Sequence, residues 1–258
     1  MDREWLRTVA LSEPEAFATA LADAVIETTR HTPAPKSLPF FGLDHPDGCG
    51  SRLLDRLSDL GIFRFYERVL DLGTSVGGPA RWLARRRGCR VVSACTSPAS
   101  ARASRLLNRR AHLEAQVSVA TADLAHLPFA DDSFTHAWSV EWLHRVERKA
   151  EIVRELYRVV RPGGHVAIQD WMARDESPRS LATIDVYREA LEAAGFTDVR
   201  DSIVDALREP ASTMAQLLEQ GVYDILSERP GSEPGSETTD AELSNRGALV
   251  QIFATRPA

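Results

Sequence analysis

The stretch densest in chemistry is Val69-Leu70-Asp71-Leu72-Gly73-Thr74-Ser75-Val76-Gly77-Gly78. It opens as a short apolar run and passes into a helical pattern that reaches Arg87. A strand that ends in a glycine-bearing turn and feeds a helix lets a ligand approach the backbone, with helix amides aimed at it. Gly73 and Gly77 suit such an approach, Ser75 lies between them, and Asp71 stands inside the strand as a binding acid. The dinucleotide fingerprint G-x-G-x-x-G has no such acid, and Ser75 holds its second glycine position, so a nicotinamide oxidoreductase is disfavoured. For proton transfer the candidates are His144, Glu141 and His45, the last in the loop Asp44-His45-Pro46-Asp47-Gly48, which could close over a substrate. Cys95 reads as a small packed residue, because nothing near it in sequence would lower its pKa.

The elements that must position these groups alternate. Ser12-Glu13-Pro14-Glu15 is a helix start, and Phe17, Leu21, Ala24 and Val25 then share one helical face up to about Thr29. A proline-bearing linker follows, with the pair Phe40-Phe41 read as exposed, and then a helix over 51–60. From Arg68 onward, strands at 68–72, 90–94, 117–120, 134–140 and 165–168 are separated by helices at 77–87, 97–112 and 149–159. Strands joined through helices of this length are βαβ units, which build a parallel sheet with helices on both faces. A helix (184–194), a strand (197–204), an amphipathic helix (211–226), an acidic Gly/Ser/Pro stretch (230–242) and a last strand (248–253) complete the chain. The arginine run 85–87 reads as a solvated last helical turn, favoured by the macrodipole.

With Leu70, Asp71, Gly73 and Gly77 in place, the chain resembles the class I S-adenosylmethionine-dependent methyltransferases, whose first motif is roughly L-D-x-G-x-G-x-G. The resemblance extends over residues 44–256 and includes three further stretches. Ala122-Asp123-Leu124 with Leu127-Pro128-Phe129 resembles the loop whose acid accepts from the adenine amino group. Val160-Arg161-Pro162-Gly163-Gly164 resembles the turn before the fifth strand, and Ala193-Ala194-Gly195-Phe196 the helix-to-strand corner. Within the family, Trp138-Ser139-Val140-Glu141 and Thr96-Ser97-Pro98 most resemble the tocopherol, sarcosine and dimethylglycine branch.

The resemblance implies a Rossmann-like, doubly wound α/β fold. Its sheet would have seven mostly parallel strands, an antiparallel C-terminal strand and N-terminal cap helices. Residues 1–67 would be cap and linker, and 68–258 the cofactor-binding domain. S-Adenosylmethionine is the implied cofactor, met by Asp71, Gly73, Ser75, Gly77, Cys95, Thr96, Asp123, Leu124 and Ser139. Three departures stand out. Ser75 replaces a glycine, Cys95 stands where many relatives carry an acid for the ribose, and His144 precedes Arg145 where the branch ends its fourth strand in Glu-His.

Composition narrows the class. The 258 residues carry a formal charge of −6, which argues against a general nucleic-acid binder. Three cysteines without CxxC spacing suggest neither a zinc site nor a disulfide framework, and no metal is expected. Nothing resembles a signal peptide or a membrane span, so a cytoplasmic protein is expected. The leading reading is methylation of a small molecule at O, N or C, in keeping with secondary metabolism. The alternative keeps the scaffold for cyclisation or isomerisation, or for a non-catalytic partner role.

Overall fold

The computed structural model describes residues 14–32, 39–44, 51–60, 63–73, 75–173, 181–205, 213–227 and 247–258. His45, the start signal at Ser12 and the acidic stretch 230–242 lie outside them. Two N-terminal helices, α1 (Pro14–Thr29) and α2 (Ser51–Leu60), precede the alternating part. That part comprises β1 (Arg68–Leu72), α3 (Gly78–Arg87), β2 (Arg90–Cys95), α4 (Pro98–Arg110), β3 (Val117–Thr121), β4 (Phe134–Val140), α5 (Lys149–Val159) and β5 (Val160–Ala173). It continues with α6 (Ile184–Ala194), β6 (Thr197–Ile203), α7 (Thr213–Ser227) and β7 (Gly247–Thr255). The seven strands form one sheet in the order β3-β2-β1-β4-β5-β7-β6. Neighbours from β3 to β5 run parallel, and β7 enters antiparallel between β5 and β6. This is the expected doubly wound α/β sheet with its antiparallel C-terminal strand.

Successive strand residues point to opposite faces, and the apolar strand residues divide accordingly into two cores. Val69, Val91, Val117, Ala167, Trp171 and Leu249 pack on one face with α1, α2, α3 and α4. Leu70, Leu72, Ala94, Ile168, Val250 and Ile252 pack on the other with α5 and α6. The N-terminal helices therefore share the first core: Phe17, Leu21, Val25, Leu53 and Leu57 are all buried in it. Each such side chain contributes roughly 1.5–3 kcal/mol relative to exposure. Helix α1 packs on α4 and α7, where Val222 and Leu226 are buried.

Three details differ from the sequence reading, each through a tertiary contact. Phe40 is buried rather than exposed, with the Arg81 guanidinium 5.7 Å from its ring centre. Arg81 itself is fully buried and donates through Nε to Asp44 Oδ2 (2.8 Å) and through NH1 to Asn108 (3.0 Å), which pins the 39–44 loop to α3. Losing one partner of such a pair leaves a buried charge, at about 3–5 kcal/mol. The arginine run is not a merely solvated turn: Arg86 and Arg87 bridge to Asp55, and Arg87 also to Asp59, tying α3 to α2. Finally, residues 160–164 belong to β5, where the pairing with β4 jumps from Phe134↔Val160 to His136↔His165. The Arg-Pro-Gly-Gly segment is an irregularity inside the strand, stitched to Arg256 by backbone hydrogen bonds.

Candidate active site

Ligands of doubly wound sheets bind beyond the carboxyl ends of the strands, near the point where strand order reverses. Here that point lies between β1 and β4, and the predicted residues Asp71, Gly73, Ser139 and Glu141 are at those ends. Gly73 and Gly77 both have positive φ, 85° and 80°, which an L side chain would adopt only with strain. The space beside each is filled by the protein itself. A Cβ on Gly73 would lie 2.1 Å from the Trp142 indole, and one on Gly77 would lie 2.4 Å from Ser104 Oγ. Gly77 is the N-cap of α3, so the turn delivers that helix's free amides toward the site.

Asp71 is fully buried and works across the sheet. Ser93 of β2 donates to one carboxylate oxygen (2.9 Å) and Trp138 of β4 donates through Nε1 to the other (2.8 Å). Ser139 is buried and donates to the last carbonyl of β1, Leu72 O (3.1 Å). These two residues hold strand ends together, while Ser75 in the turn is half-buried.

Around the loops beyond β2 and β3 the groups are more open. Cys95 is buried, and burial pushes its thiol up to about 11, so it stays protonated at neutral pH. Thr96 beside it is exposed. Asp123 keeps an exposed carboxylate that accepts from the Ala125 amide (3.0 Å) and meets His126 Nδ1 (2.8 Å). The His126 hydrogen bond, then that amide, hold it below the usual carboxylate range. Leu124 is buried beneath it. Toward an adenosyl cofactor these loops offer an exposed carboxylate, Asp123, and an exposed hydroxyl, Thr96.

The end of β4 carries a different arrangement. His144 Nδ1 lies 2.5 Å from Asp170 Oδ1, and Tyr187 of α6 donates its hydroxyl to Asp170 Oδ2 (2.7 Å). Arg145 Nε approaches His144 Nε2 at 3.2 Å. Arginine only donates, so Nε2 is the acceptor nitrogen and Nδ1–H donates to Asp170. Desolvation and the Asp170 charge raise the Tyr187 phenol well above its usual range, so it remains a donor. Glu141 is buried, has φ 51° and accepts from Gln169 Nε2 (2.8 Å). The structure thus brings His144 and Glu141 to one strand end.

Sequence reasoning missed Asp170, Tyr187, Gln169 and Gln251. The signal was present: Gln169-Asp170 interrupts the apolar run Val166–Met172, and Gln251 interrupts Ala248–Phe253. Among the described residues, no group of three or more His, Cys, Asp or Glu could hold a metal ion. Among the same residues, no helix is long and apolar enough to cross a membrane.

Residues 70–168 match a family model described as a methyltransferase domain. Methyltransferase GfsG of Streptomyces halstedii is 36% identical over 163 residues, covering 57% of this chain and 59% of that protein. The sarcosine/dimethylglycine N-methyltransferase of Halorhodospira halochloris is 30% identical over 145 residues, covering 51% and 52%. The chain thus spans less than two thirds of each of these relatives. Among solved structures, the [4+2]-cyclase SpnF superposes with a TM-score of 0.60 at 20% identity, covering 80% of this chain and 81% of that one. That likeness is one of fold. Motif order, sheet topology and these matches together relate the chain to the class I S-adenosylmethionine-dependent methyltransferases, the similarity resting on residues 70–168, which match the methyltransferase-domain model.

Proposed function

We propose that this chain transfers a methyl group from S-adenosylmethionine to a small-molecule acceptor, with His144 taking the acceptor's proton. The observation that carries this reading is the His144–Asp170 pair toward the carboxyl ends of β4 and β5. S-Adenosylmethionine supplies an electrophilic methyl on a built-in leaving group, so the protein's task is alignment, exclusion of water and proton removal. Asp170 fixes the imidazole tautomer that leaves Nε2 able to accept, and its charge stabilises the imidazolium once the proton arrives. Tyr187 in turn holds Asp170 in place. An acceptor O–H or N–H would displace Arg145 from Nε2 and hand its proton to that nitrogen.

In this reading Asp123 and Leu124 frame the adenine, and Thr96 and Cys95 border the ribose. Gly73, Ser75 and Gly77 present the turn, and Asp71 and Ser139 fix the strand ends that carry it. Residues 1–67, His45 among them, recognise and cover the acceptor, while 68–258 hold the cofactor. Calorimetry with S-adenosylhomocysteine and incorporation of radiolabelled methyl into a panel of small hydroxylated and amino compounds test the reading. No heat at millimolar ligand would end it.

A further inference from the structure

A row of polar side chains crosses the face of the sheet that the N-terminal helices cover. Gln169 of β5 and Gln251 of β7 are direct partners in the antiparallel register, and Ser202 of β6 faces Gln251 from the other side. Both glutamines are buried, on strands whose neighbouring residues Ala167, Trp171 and Leu249 belong to the first core. An amide buried there without partners would be destabilising, so its hydrogen bonds account for its presence. Gln251 Nε2 donates to Leu53 O (2.9 Å) and to Gln169 Oε1 (2.8 Å). Gln169 Nε2 then donates to Glu141 Oε1 (2.8 Å). At the far end, half-buried Arg56 of α2 donates to Gln251 Oε1 and to Ser202 Oγ (the latter at 2.9 Å).

The two ends of the row dictate its direction. Arginine only donates and a carboxylate only accepts, so both amides must lie head to tail between them. Glu141 is also constrained through its backbone: φ is 51°, and its N–H is bonded to Gln169 O at 2.7 Å. Strain of this kind persists where the surroundings over-determine a residue and concentrates at functional sites. Next to Gln169 in the strand, Asp170 is bonded to His144, and its charge acts on Lys149. Gln169 and Asp170 are adjacent and project to opposite faces, so one strand supports the acid from one side and the histidine from the other.

We propose that Arg56, Gln251 and Gln169 form a positioning relay that aims the Glu141 carboxylate at the acceptor, where it receives an N–H or O–H donor of that molecule. The relay ties acceptor recognition to helix α2. It deepens the methyl-transfer reading and rests on it for the ligand, while the relay itself rests on the hydrogen-bond row.

The test uses the full chain labelled with carbon-13, with the Glu141 carboxyl signal assigned through Glu141→Gln. Loss of a hydrogen bond to the charged form disfavours that form, so Gln169→Met should raise the Glu141 titration midpoint by about one unit or more. Arg56→Leu should raise it less, and Arg56→Lys should return it toward the wild-type value. Affinity for S-adenosylhomocysteine should stay within about threefold throughout. With tritiated methyl donor and a panel of hydroxylated and amino compounds, the Gln169 and Arg56→Leu variants should raise acceptor KM about tenfold and change kcat less. Unchanged midpoints in both variants would overturn the relay, and a fall in kcat at constant KM would overturn its role in recognition. Should Gln169→Met fail to fold, Gln251→Met and the Arg56 pair supply the same readout. Absence of S-adenosylhomocysteine binding in the wild type would instead strike the methyl-transfer reading, with the titration still deciding the relay.

Discussion

At the amino ends of β4 and β5, His136 and His165 stack 5.1 Å apart with rings 7° from parallel, and Phe63 lies 5.2 Å from the His136 ring. At the carboxyl ends of the same strands, His144 meets Asp170 and Tyr187. Both clusters pair histidine with a buried acid, since Glu67 Oε2 stands 3.5 Å from His136 Nε2. Their wiring is opposite. His136 Nδ1 accepts from the His165 backbone N–H (3.1 Å), so a proton there would break a bond, and burial pushes its pKa down to about 4. His144 Nδ1–H instead donates to Asp170, and Nε2 accepts from the exposed Arg145. The two histidines thus differ in whether Nδ1 accepts or donates, which fixes opposite tautomers.

The largest effect that would break this comparison is catalytic. His144→Ala and Asp170→Asn should each lower turnover about 10²–10⁴-fold with S-adenosylhomocysteine affinity unchanged, whereas His136 substitutions should act on stability. Radiolabelled methyl incorporation beside calorimetry checks this; full turnover in His144→Ala would remove the assigned base.

The amino-end cluster should show itself in acid. A histidine with its folded pKa near 4 and an unfolded value near 6.5 binds fewer protons in the fold, so stability falls as pH drops through that window. The loss is at most about 3.5 kcal/mol, taking about 1.4 kcal/mol per unit. His165, also lowered chiefly by burial, shifts in the same direction. Urea melts at pH 7 and pH 4.5 should separate wild type from His136→Phe, which lacks this titration.

Tyr187→Phe sharpens the other side. It removes one donor from Asp170, a hydrogen bond to a charged group worth about 1.5–3 kcal/mol, and should lower both the melting midpoint and kcat, the latter about tenfold. The smallest effect concerns the cofactor end. Asp123→Ala should weaken S-adenosylhomocysteine binding a few-fold and Cys95→Ala less, because the thiol is a weak partner and already points to Ser97 and Ala120 carbonyls. Equal losses would displace the adenine loop from its assigned place.

Local pattern was enough for the elements and their order. Short apolar strands, helices of ten or more residues and a glycine turn after β1 leave few topologies open, because parallel strands need helical crossovers. The same pattern placed Asp71, Gly73, Gly77, His144 and Glu141 at strand ends. It could not say what each would touch. Phe40, in a proline-bearing linker, became core because Arg81 and Asp44 draw that loop inward. Asp170 and Tyr187 lie 17 residues apart and meet through the packing of α6 on the sheet. Gln169 and Gln251 are 82 residues apart and meet because β7 folds back antiparallel beside β5. Periodicity is a property of neighbours in the chain, so the sequence alone determined strands, helices and the glycine turn after β1. Hydrogen-bond partners belong to groups distant in the chain, so tertiary structure decided which nitrogen of each histidine donates or accepts and which acid is held.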